Sequence, residues 1–325
     1  MKKTHLLAAA VAAGALALTG CTATDEGEST EWPEELVLGL VPSQEVDQLV
    51  EDAGVLGDLL SEELGIPVTT TVTDNYAGLV VAMQTDQAQI GMFGPIALVQ
   101  AMDQADATPI LQSIRFGSAA YHTQWFTNDP DRFCTISDPV VVTDDEGVDF
   151  AFCNGTDTAE EGPVGEEALA AIEPGETISF VDELSASGYY YPATQLENIG
   201  LDPFSDITPL FAGGHPNSVQ TVARGDAAVG VSFDDARGGL AEEDPTIGTA
   251  VTVFAWSTQI PNDGIAVGAS LPDDLVQAIT DAFLAIAETE EGLAALDAVY
   301  EIEGLVPADL DALDAARQVE ANFGE

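Results

Sequence analysis

Short apolar runs alternate along the chain with segments in which apolar residues recur at helical spacing. Residues 46–64 show the helical pattern and end at Gly65, whereas residues 68–72 are β-branched and predict a strand. The predicted order is strand, helix, strand, helix, strand, helix over 35–41, 46–64, 68–72, 76–84, 89–93 and 96–105. This alternation predicts an α/β fold with a mostly parallel sheet covered by helices.

The same pattern restarts in the second part of the chain. Strands are predicted at 121–127, 177–181, 211–214, 227–232 and 252–256, a loop and helix at 185–199, and helices at 218–224, 273–289 and 310–322. We interpret the chain as two lobes, residues 35–115 plus 257–325 and residues 116–256, with two crossovers near 114–125 and 250–260. A cleft between the lobes is the expected ligand site, because strand ends and helix N-termini converge there.

The first residues have the features of an export signal. Lys2 and Lys3 precede an apolar run that ends in Leu18-Thr19-Gly20-Cys21, the pattern of a bacterial lipobox. We expect residues 1–20 to be removed, Cys21 to be acylated, and residues 21–34 to form an acidic tether on the outer face of the cytoplasmic membrane. The alternative is an ordinary signal peptide with an incidental cysteine.

Charge is the most unusual property of the sequence. All 57 acidic residues lie beyond Cys21, and without the two signal lysines only five arginines oppose them, a net charge of −52. Nucleic acid is excluded as a partner, because it requires clustered basic residues. At molar salt the Debye length falls to about 3 Å and self-repulsion is screened. We therefore infer a saline habitat; a mildly acidic secreted protein from an ordinary habitat is the alternative.

Two cysteines remain after Cys21. Cys134 and Cys153 are an even pair in an exported chain, which predicts a disulfide rather than a reactive thiol pair. They enclose an acidic turn and have no histidine near them in sequence. No metal site and no cofactor are predicted.

The strongest local signal for ligand chemistry runs from Asp182 to Pro192. Ser185 and Ser187 supply hydroxyl donors, and Gly188 permits close backbone approach at the start of a predicted helix. The first N–H groups of a helix lack internal partners and carry the positive end of its dipole, which predicts an anion cradle without lysine or arginine. A plain capping serine that needs no ligand is the alternative.

Four other segments place polar groups at comparable strand ends. They are the segments around Tyr76, Phe93, His215 and the pair Asp234-Asp235. Each has a structural alternative: a half-buried core tyrosine, a tight turn, a capping histidine or a solvated helix start. We interpret them together as parts of one site.

These strings together resemble the phosphonate, phosphite and phosphate binding proteins of ABC importers. The family-like strings are Tyr76-Ala77-Gly78-Leu79, Phe93-Gly94-Pro95, Ser185-x-Ser187-Gly188-Tyr189, Gly214-His215, Asp235-Ala236-Arg237 and Ile260-Pro261-Asn262-Asp263. The resemblance, from about Leu38 to the C-terminus, implies a monomeric type II periplasmic-binding (Venus-flytrap) fold that serves a permease and an ATPase.

The resemblance also implies the ligand contacts. The oxyanion would meet Ser185, Ala186, Ser187 and Gly188, with Tyr76, Phe93, Tyr189, His215 and Asp235 around them. In this scheme Asp235 accepts a proton from the ligand and thereby rejects sulfate. Ala186 and Phe93 stand where relatives often carry a hydroxyl.

Three other functions were weighed against this prediction. An enzyme is not expected, because the chain has no Gly-x-Ser-x-Gly, His-Glu-x-x-His or phosphate-loop motif. The same fold could instead bind another small organic anion such as a sulfonate. It could also serve as a tethered sensor.

Overall fold

A computed structural model describes residues 32–145, 147–241 and 243–323. The predicted signal peptide, Cys21 and most of the predicted tether lie outside these residues. Within the described part, no helix is both long enough and apolar enough to cross a bilayer.

The described residues form an alternating α/β chain. The strands are β1 (Leu36–Leu40), β2 (Val68–Val72), β3 (Ile90–Phe93), β4 (Thr108–Ile114), β5 (Ala120–Tyr121), β6 (Thr123–Thr127), β7 (Val140–Thr143), β8 (Asp149–Phe152), β9 (Thr177–Phe180), β10 (Thr208–Phe211), β11 (Val229–Phe233), β12 (Thr252–Trp256), β13 (Ile260–Pro261), β14 (Gly264–Val267) and β15 (Gly304–Pro307). The helices are α1 (Val46–Leu64), α2 (Tyr76–Gln84), α3 (Pro95–Ala105), α4 (Pro130–Phe133), α5 (Tyr191–Asn198), α6 (His215–Ala223), α7 (Gly238–Ala241), α8 (Ile247–Ala250), α9 (Asp273–Ala287), α10 (Glu290–Tyr300) and α11 (Leu310–Ala321).

The first lobe is built on a six-stranded sheet in the order β15-β4-β14-β3-β1-β2. β1 pairs in parallel with β2 and β3, and β14 runs antiparallel between β3 and β4. The central strands β1, β3 and β14 are buried, with Leu36, Leu38 and Leu40 fully enclosed, whereas the edge strands β2 and β15 are partly exposed. Helices α1, α2, α3, α9, α10 and α11 belong to this lobe.

The second lobe is built on a seven-stranded sheet in the order β10-β9-β11-β6-β12-β8-β7. Trp125 and Phe254 lie fully buried beside this sheet and pack with ring centroids 6.5 Å apart. At its far edge β7 and β8 form a hairpin, and the predicted disulfide between Cys134 and Cys153 closes its base. The predicted two-lobed α/β fold is confirmed.

Two crossings connect the lobes and lie side by side. β5 and β13 pair antiparallel, with Ile260 opposite Tyr121 and Pro261 opposite Ala120. Each crossing leads directly from a strand of one sheet to a strand of the other. The short β5–β13 ladder is therefore the hinge.

The ends of the helices follow from their sequences. α1 begins where the Glu45 carboxylate accepts from the Gln48 N–H and ends at Gly65, whose φ of 69° suits glycine. The Asn75 side chain caps α2 in the same way, by accepting from the Gly78 N–H. Two sequence predictions were displaced: the strand predicted at 211–214 lies at 208–211, and the helix predicted from 218 begins at His215.

Candidate ligand-binding site

A small cavity lies between the two lobes. It offers about 20 Å³ to the centre of a water-sized sphere. Both lobes and the hinge contribute to its wall. The lining residues are Ser43, Gln44, Tyr76, Gly94, Arg115, Tyr121, Ser185, Ala186, Ser187, His215, Phe233, Asp263 and Tyr300.

The lobes meet directly at the edge of this cavity. The Tyr76 N–H at the start of α2 donates to the Asp182 carboxylate across the cleft, at 3.3 Å. In the opposite direction, the His215 N–H at the start of α6 donates to the Ser43 carbonyl at 3.0 Å. The cleft is therefore closed, and the first amide of α2 and the first amide of α6 each donate to a residue of the opposite lobe.

The serine segment forms the wall from the second lobe. Residues Ala186–Tyr190 form a π-helical turn that continues into α5, and Ser185 caps it by accepting from the Gly188 N–H at 3.0 Å. The Thr123 hydroxyl donates to the Ser187 carbonyl and ties the turn to β6. The first amides of a helix have no partner within it, so those of Ala186 and Ser187 are the donors the turn offers to the cavity.

The Ser187 hydroxyl is an unpaired donor in this wall. The residue is 1% exposed, and its Oγ has no hydrogen-bond partner among the described residues. Burial and the charge of Asp263 raise the pKa of Tyr121, and the nearby Ser187 hydroxyl lowers it in part. The Ser187 and Tyr121 hydroxyls nevertheless do not meet in hydrogen-bonding geometry. A buried unpaired hydroxyl is costly, which favours a ligand oxygen as its partner.

His215 is a neutral donor whose tautomer is set by the backbone. The Phe233 N–H donates to His215 Nδ1 at 3.1 Å, so the ring proton of the neutral imidazole resides on Nε2. Burial, with Arg115 nearby, lowers the pKa of His215 to about 3. The ring therefore stays uncharged at physiological pH and can donate only from Nε2.

Tyr76 is a phenol held at the start of α2. Its side chain is buried, and burial together with the carboxylates of Asp182 and Asp263 raises its pKa well above the ordinary value. The phenol therefore remains protonated and can act as a hydrogen-bond donor from the first lobe.

Arg115 brings a permanent charge to the cavity. It is 5% exposed and forms an ion pair with Glu301, and its guanidinium lies 4.5 Å from the ring centre of Phe233. Burial alone would lower the pKa of Arg115. The charges of Glu301 and Asp263 together outweigh burial, so the pKa of Arg115 is raised. Its Nε is buried without a partner among the described residues.

Asp263 is the carboxylate that faces the cavity. It follows β13 and directly precedes β14. Burial raises its pKa to about 6, although Arg115 counteracts the shift. No described side chain or amide donates to its carboxylate, so it retains accepting capacity toward the cavity.

Asp235 does not line the cavity, contrary to the role predicted for it. Its carboxylate accepts from Arg237 Nε at 2.9 Å and from the Gln124 amide at 2.9 Å. Burial alone would raise the pKa of Asp235, but the Arg237 guanidinium lowers it below the ordinary value. Arg237 lies only two residues away and is fully buried. Its ion pair with Asp235 holds the Asp235 carboxylate inside the second lobe, away from the cavity.

Three other predicted contacts also lie outside the cavity lining. Phe93 is fully buried in the first lobe's core. Gly188 lies so close to the strand end that an added Cβ would stand 2.4 Å from Val181 Cβ, so it is required for packing. Tyr189 packs edge-on against Phe180 at 5.2 Å. The remaining five, Tyr76, Ser185, Ala186, Ser187 and His215, do line it.

Two charged residues of the cavity, Arg115 and Asp263, were missing from the predicted site, together with the uncharged Ser43, Gln44, Tyr121 and Tyr300. Both charged residues lie at strand ends beside the hinge, and Asp263 closes the family-like string Ile260-Pro261-Asn262-Asp263, although no ligand contact was predicted for it. One signal was available for Arg115: the mature chain has only five arginines, and one of them falls at a predicted crossover.

The sequence matches a known family over most of its length. The matching family is described as "ABC transporter, phosphonate, periplasmic substrate-binding protein", and the match covers residues 38–313. The chain belongs to this phosphonate-binding family. It is a family of transport binding proteins from outside the cytoplasm rather than of enzymes.

Individual relatives agree with the family assignment. The phosphate-import protein PhnD of Mycolicibacterium smegmatis is 27% identical over 242 residues, 71% of this chain, and the chain spans 65% of that protein's length. The binding protein of a Pseudomonas aeruginosa phosphonate transporter superposes with a TM-score of 0.72 at 19% identity, over 88% of this chain and 85% of that one.

A second solved structure shares the fold. PhnD1 of Prochlorococcus marinus, in complex with methylphosphonate, gives a TM-score of 0.70 at 15% identity, over 89% of this chain and 98% of that chain. At such identities the two structures show the common fold of the family. The cavity of the present chain therefore has to be interpreted from its own residues.

Proposed function

We propose that this protein is the exported, lipid-anchored binding component of an ABC importer and that it captures a small phosphorus oxyanion between its lobes. The observation that carries the proposal is the unpaired, fully buried Ser187 hydroxyl in a cavity closed by both lobes. Family membership supports the transport role, and the donors around Ser187 support an oxyanion.

The chemistry of the donors favours an anion. The Ala186 and Ser187 amides, the Ser187 hydroxyl and the Nε2–H of His215 would all donate toward the cavity. Hydrogen bonds to an ionised oxygen are shorter and stronger than neutral ones. Several such donors at one helix start can hold an anion although the chain as a whole is strongly acidic.

The size of the cavity favours a compact ligand. The centre of a water-sized sphere can occupy about 20 Å³ of this space, so the cavity has room for a compact group of oxygens but not for a long chain. It suits a single tetrahedral oxyanion such as phosphate, phosphite or methylphosphonate. A long organic substituent would require the lobes to close less far.

Anchoring through Cys21 completes the proposal. The lipobox pattern that ends at Cys21 supports acylation, and a tethered binding protein would deliver its ligand to a permease and an ATPase in the same membrane. Replacing Cys21 with serine should abolish incorporation of labelled fatty acid. Incorporation of the label into the serine variant would contradict lipid anchoring at Cys21.

Ligand binding can be tested by thermal shift in phosphate-free buffer at low and high salt. The panel consists of phosphate, phosphite, methylphosphonate, 2-aminoethylphosphonate and sulfate. A cognate ligand at 100 times its Kd stabilises the folded protein by about 2.7 kcal/mol. At the same ligand concentration the stabilisation of Ser187→Ala should fall to between about 0.4 and about 1.4 kcal/mol, whereas Ser205→Ala on the exposed surface should keep the full response. No response to any phosphorus oxyanion in the wild type would refute the proposal.

A further inference from the structure

The wall contributed by the first lobe holds a carboxylate and a guanidinium next to each other. Arg115 follows β4 and Asp263 precedes β14, and these strands are antiparallel neighbours in the sheet. The Ser113 N–H donates to the Asp263 carbonyl at 2.9 Å, which fixes the two strand ends together. Both side chains line the cavity.

Arg115 has N–H donors that its ion pair does not use. Glu301 pairs with its Nη2, and the ring of Phe233 covers its face at 4.5 Å. Its Nε is buried and has no partner among the described residues. Because a guanidinium does not lose its proton in a protein, this N–H requires an acceptor, and the cavity is where one can reach it.

Asp263, in contrast to Arg115, lacks a hydrogen-bond donor. An ionised carboxylate only accepts hydrogen bonds, and none of the described donors points at it. Three phenols, Tyr76, Tyr121 and Tyr300, lie close enough to be influenced by its charge, and the Tyr300 hydroxyl already donates to the Val41 carbonyl. A ligand hydroxyl would satisfy Asp263.

The local charge balance restricts the ligand further. Glu301 already pairs with Arg115, so the negative charge of Asp263 is left without a cation of its own. A fully ionised ligand oxygen against Asp263 would place like charges together in a buried site, which is strongly unfavourable. A proton between the ligand oxygen and Asp263 removes this conflict.

We propose that Arg115 and Asp263 together select the protonation state of the ligand. Arg115 Nε–H donates to an ionised oxygen, and Asp263 accepts the hydroxyl proton of a neighbouring oxygen on the same ligand. The substrate class is then a compact phosphorus oxyanion that keeps one P–OH, such as hydrogen phosphate or hydrogen methylphosphonate. Sulfate and sulfonates carry no such proton at neutral pH. This inference rests on the proposed function.

The test compares phosphate with sulfate by isothermal titration calorimetry at pH 7 in the wild type and in Asp263→Asn. An asparagine amide can both accept and donate, so it tolerates either anion. The ratio of the sulfate Kd to the phosphate Kd should fall at least about tenfold in Asp263→Asn. Asp47→Asn removes the same charge from an exposed position of the first lobe and should leave the ratio unchanged.

Arg115 is tested with its partner. The double variant Arg115→Gln/Glu301→Gln avoids leaving a buried charge unpaired, and its melting temperature verifies folding. Since Arg115 contacts an ionised oxygen that both anions possess, phosphate and sulfate should weaken by similar factors. An unchanged phosphate affinity in this variant would remove Arg115 from the proposal.

A measurement on the wild type does not depend on any variant folding. Methylphosphonate and methanesulfonate have similar shapes, but only methylphosphonate keeps a hydroxyl at pH 7. Methanesulfonate should bind at least about tenfold more weakly. Equal binding of the two, or an unchanged ratio in Asp263→Asn, overturns this inference and leaves the proposed function standing. Absence of phosphate and methylphosphonate binding in the wild type instead refutes the proposed function.

Discussion

Ser187 and Ser185 line the same cavity, yet their replacement by alanine should change stability in opposite directions. Ser187 Oγ is buried and unpaired among the described residues, and such a group costs about 1–3 kcal/mol. Ser187→Ala removes this cost and should stabilise the protein without added ligand by about 1 kcal/mol, after allowance for the small space left behind.

Ser185→Ala is the matched control. The Ser185 hydroxyl accepts from the Gly188 N–H at 3.0 Å, and loss of such a cap costs about 1 kcal/mol. In a chain of this size, 1 kcal/mol corresponds to about 2 °C in melting temperature. Differential scanning calorimetry in phosphate-free buffer should therefore separate the two variants by about 4 °C.

The substitution that stabilises the protein without ligand, Ser187→Ala, should weaken phosphate binding. Each hydrogen bond to a charged oxygen contributes about 1.5–3 kcal/mol, so Ser187→Ala should weaken phosphate binding by about tenfold to a hundredfold. Calorimetric titration measures this loss directly. If Ser187→Ala melts as low as Ser185→Ala, the Ser187 hydroxyl has a partner within the protein and the reasoning is wrong.

Four further outcomes are expected. Burial lowers the pKa of His215 to about 3, so the neutral histidine stabilises the folded protein and this stability is lost progressively as the pH falls below about 6.5. His215→Gln should therefore flatten the pH dependence of the melting temperature between pH 4 and 6. Removing the Cys134–Cys153 disulfide by serine substitution should cost about 3 kcal/mol in chemical denaturation without altering phosphate affinity. Asp235→Asn should lower stability by about 3 kcal/mol, because buried Arg237 loses its counter-charge, and a loss of affinity without a loss of stability would return Asp235 to the ligand site. Phosphate affinity should rise between low and molar salt as long-range repulsion is screened, and a steady fall in titrations would contradict this.

Helices with clear local end signals were predicted well, whereas α10 (Glu290–Tyr300) was not predicted. The limits of α1 and α2 agree with prediction, since Gly65 and Asn75 mark their ends through backbone conformation and capping. β14 and β15 were not predicted. Both are short and take their places by pairing with distant parts of the chain, β14 with β3 and β4 and β15 with β4.

The site was predicted in part for the same reason. Ser185 and Ser187 lie on one turn, so their shared orientation is encoded locally. The sequence does not encode locally whether Asp235 or Asp263 faces the ligand, because this depends on which carboxylates pair with the buried arginines. Arg237 pairs with Asp235, whereas Arg115 pairs with Glu301 and leaves Asp263 to the cavity.

The pairing of β5 with β13 restricts how the protein can move. Since both crossings pass through one short ladder, we expect a change in the angle between the lobes to be concentrated there. Opening would have to break the contact between the Tyr76 amide and Asp182. Spin labels at Asp74 and Glu183, on either side of that contact, would convert each swing into a change of distance.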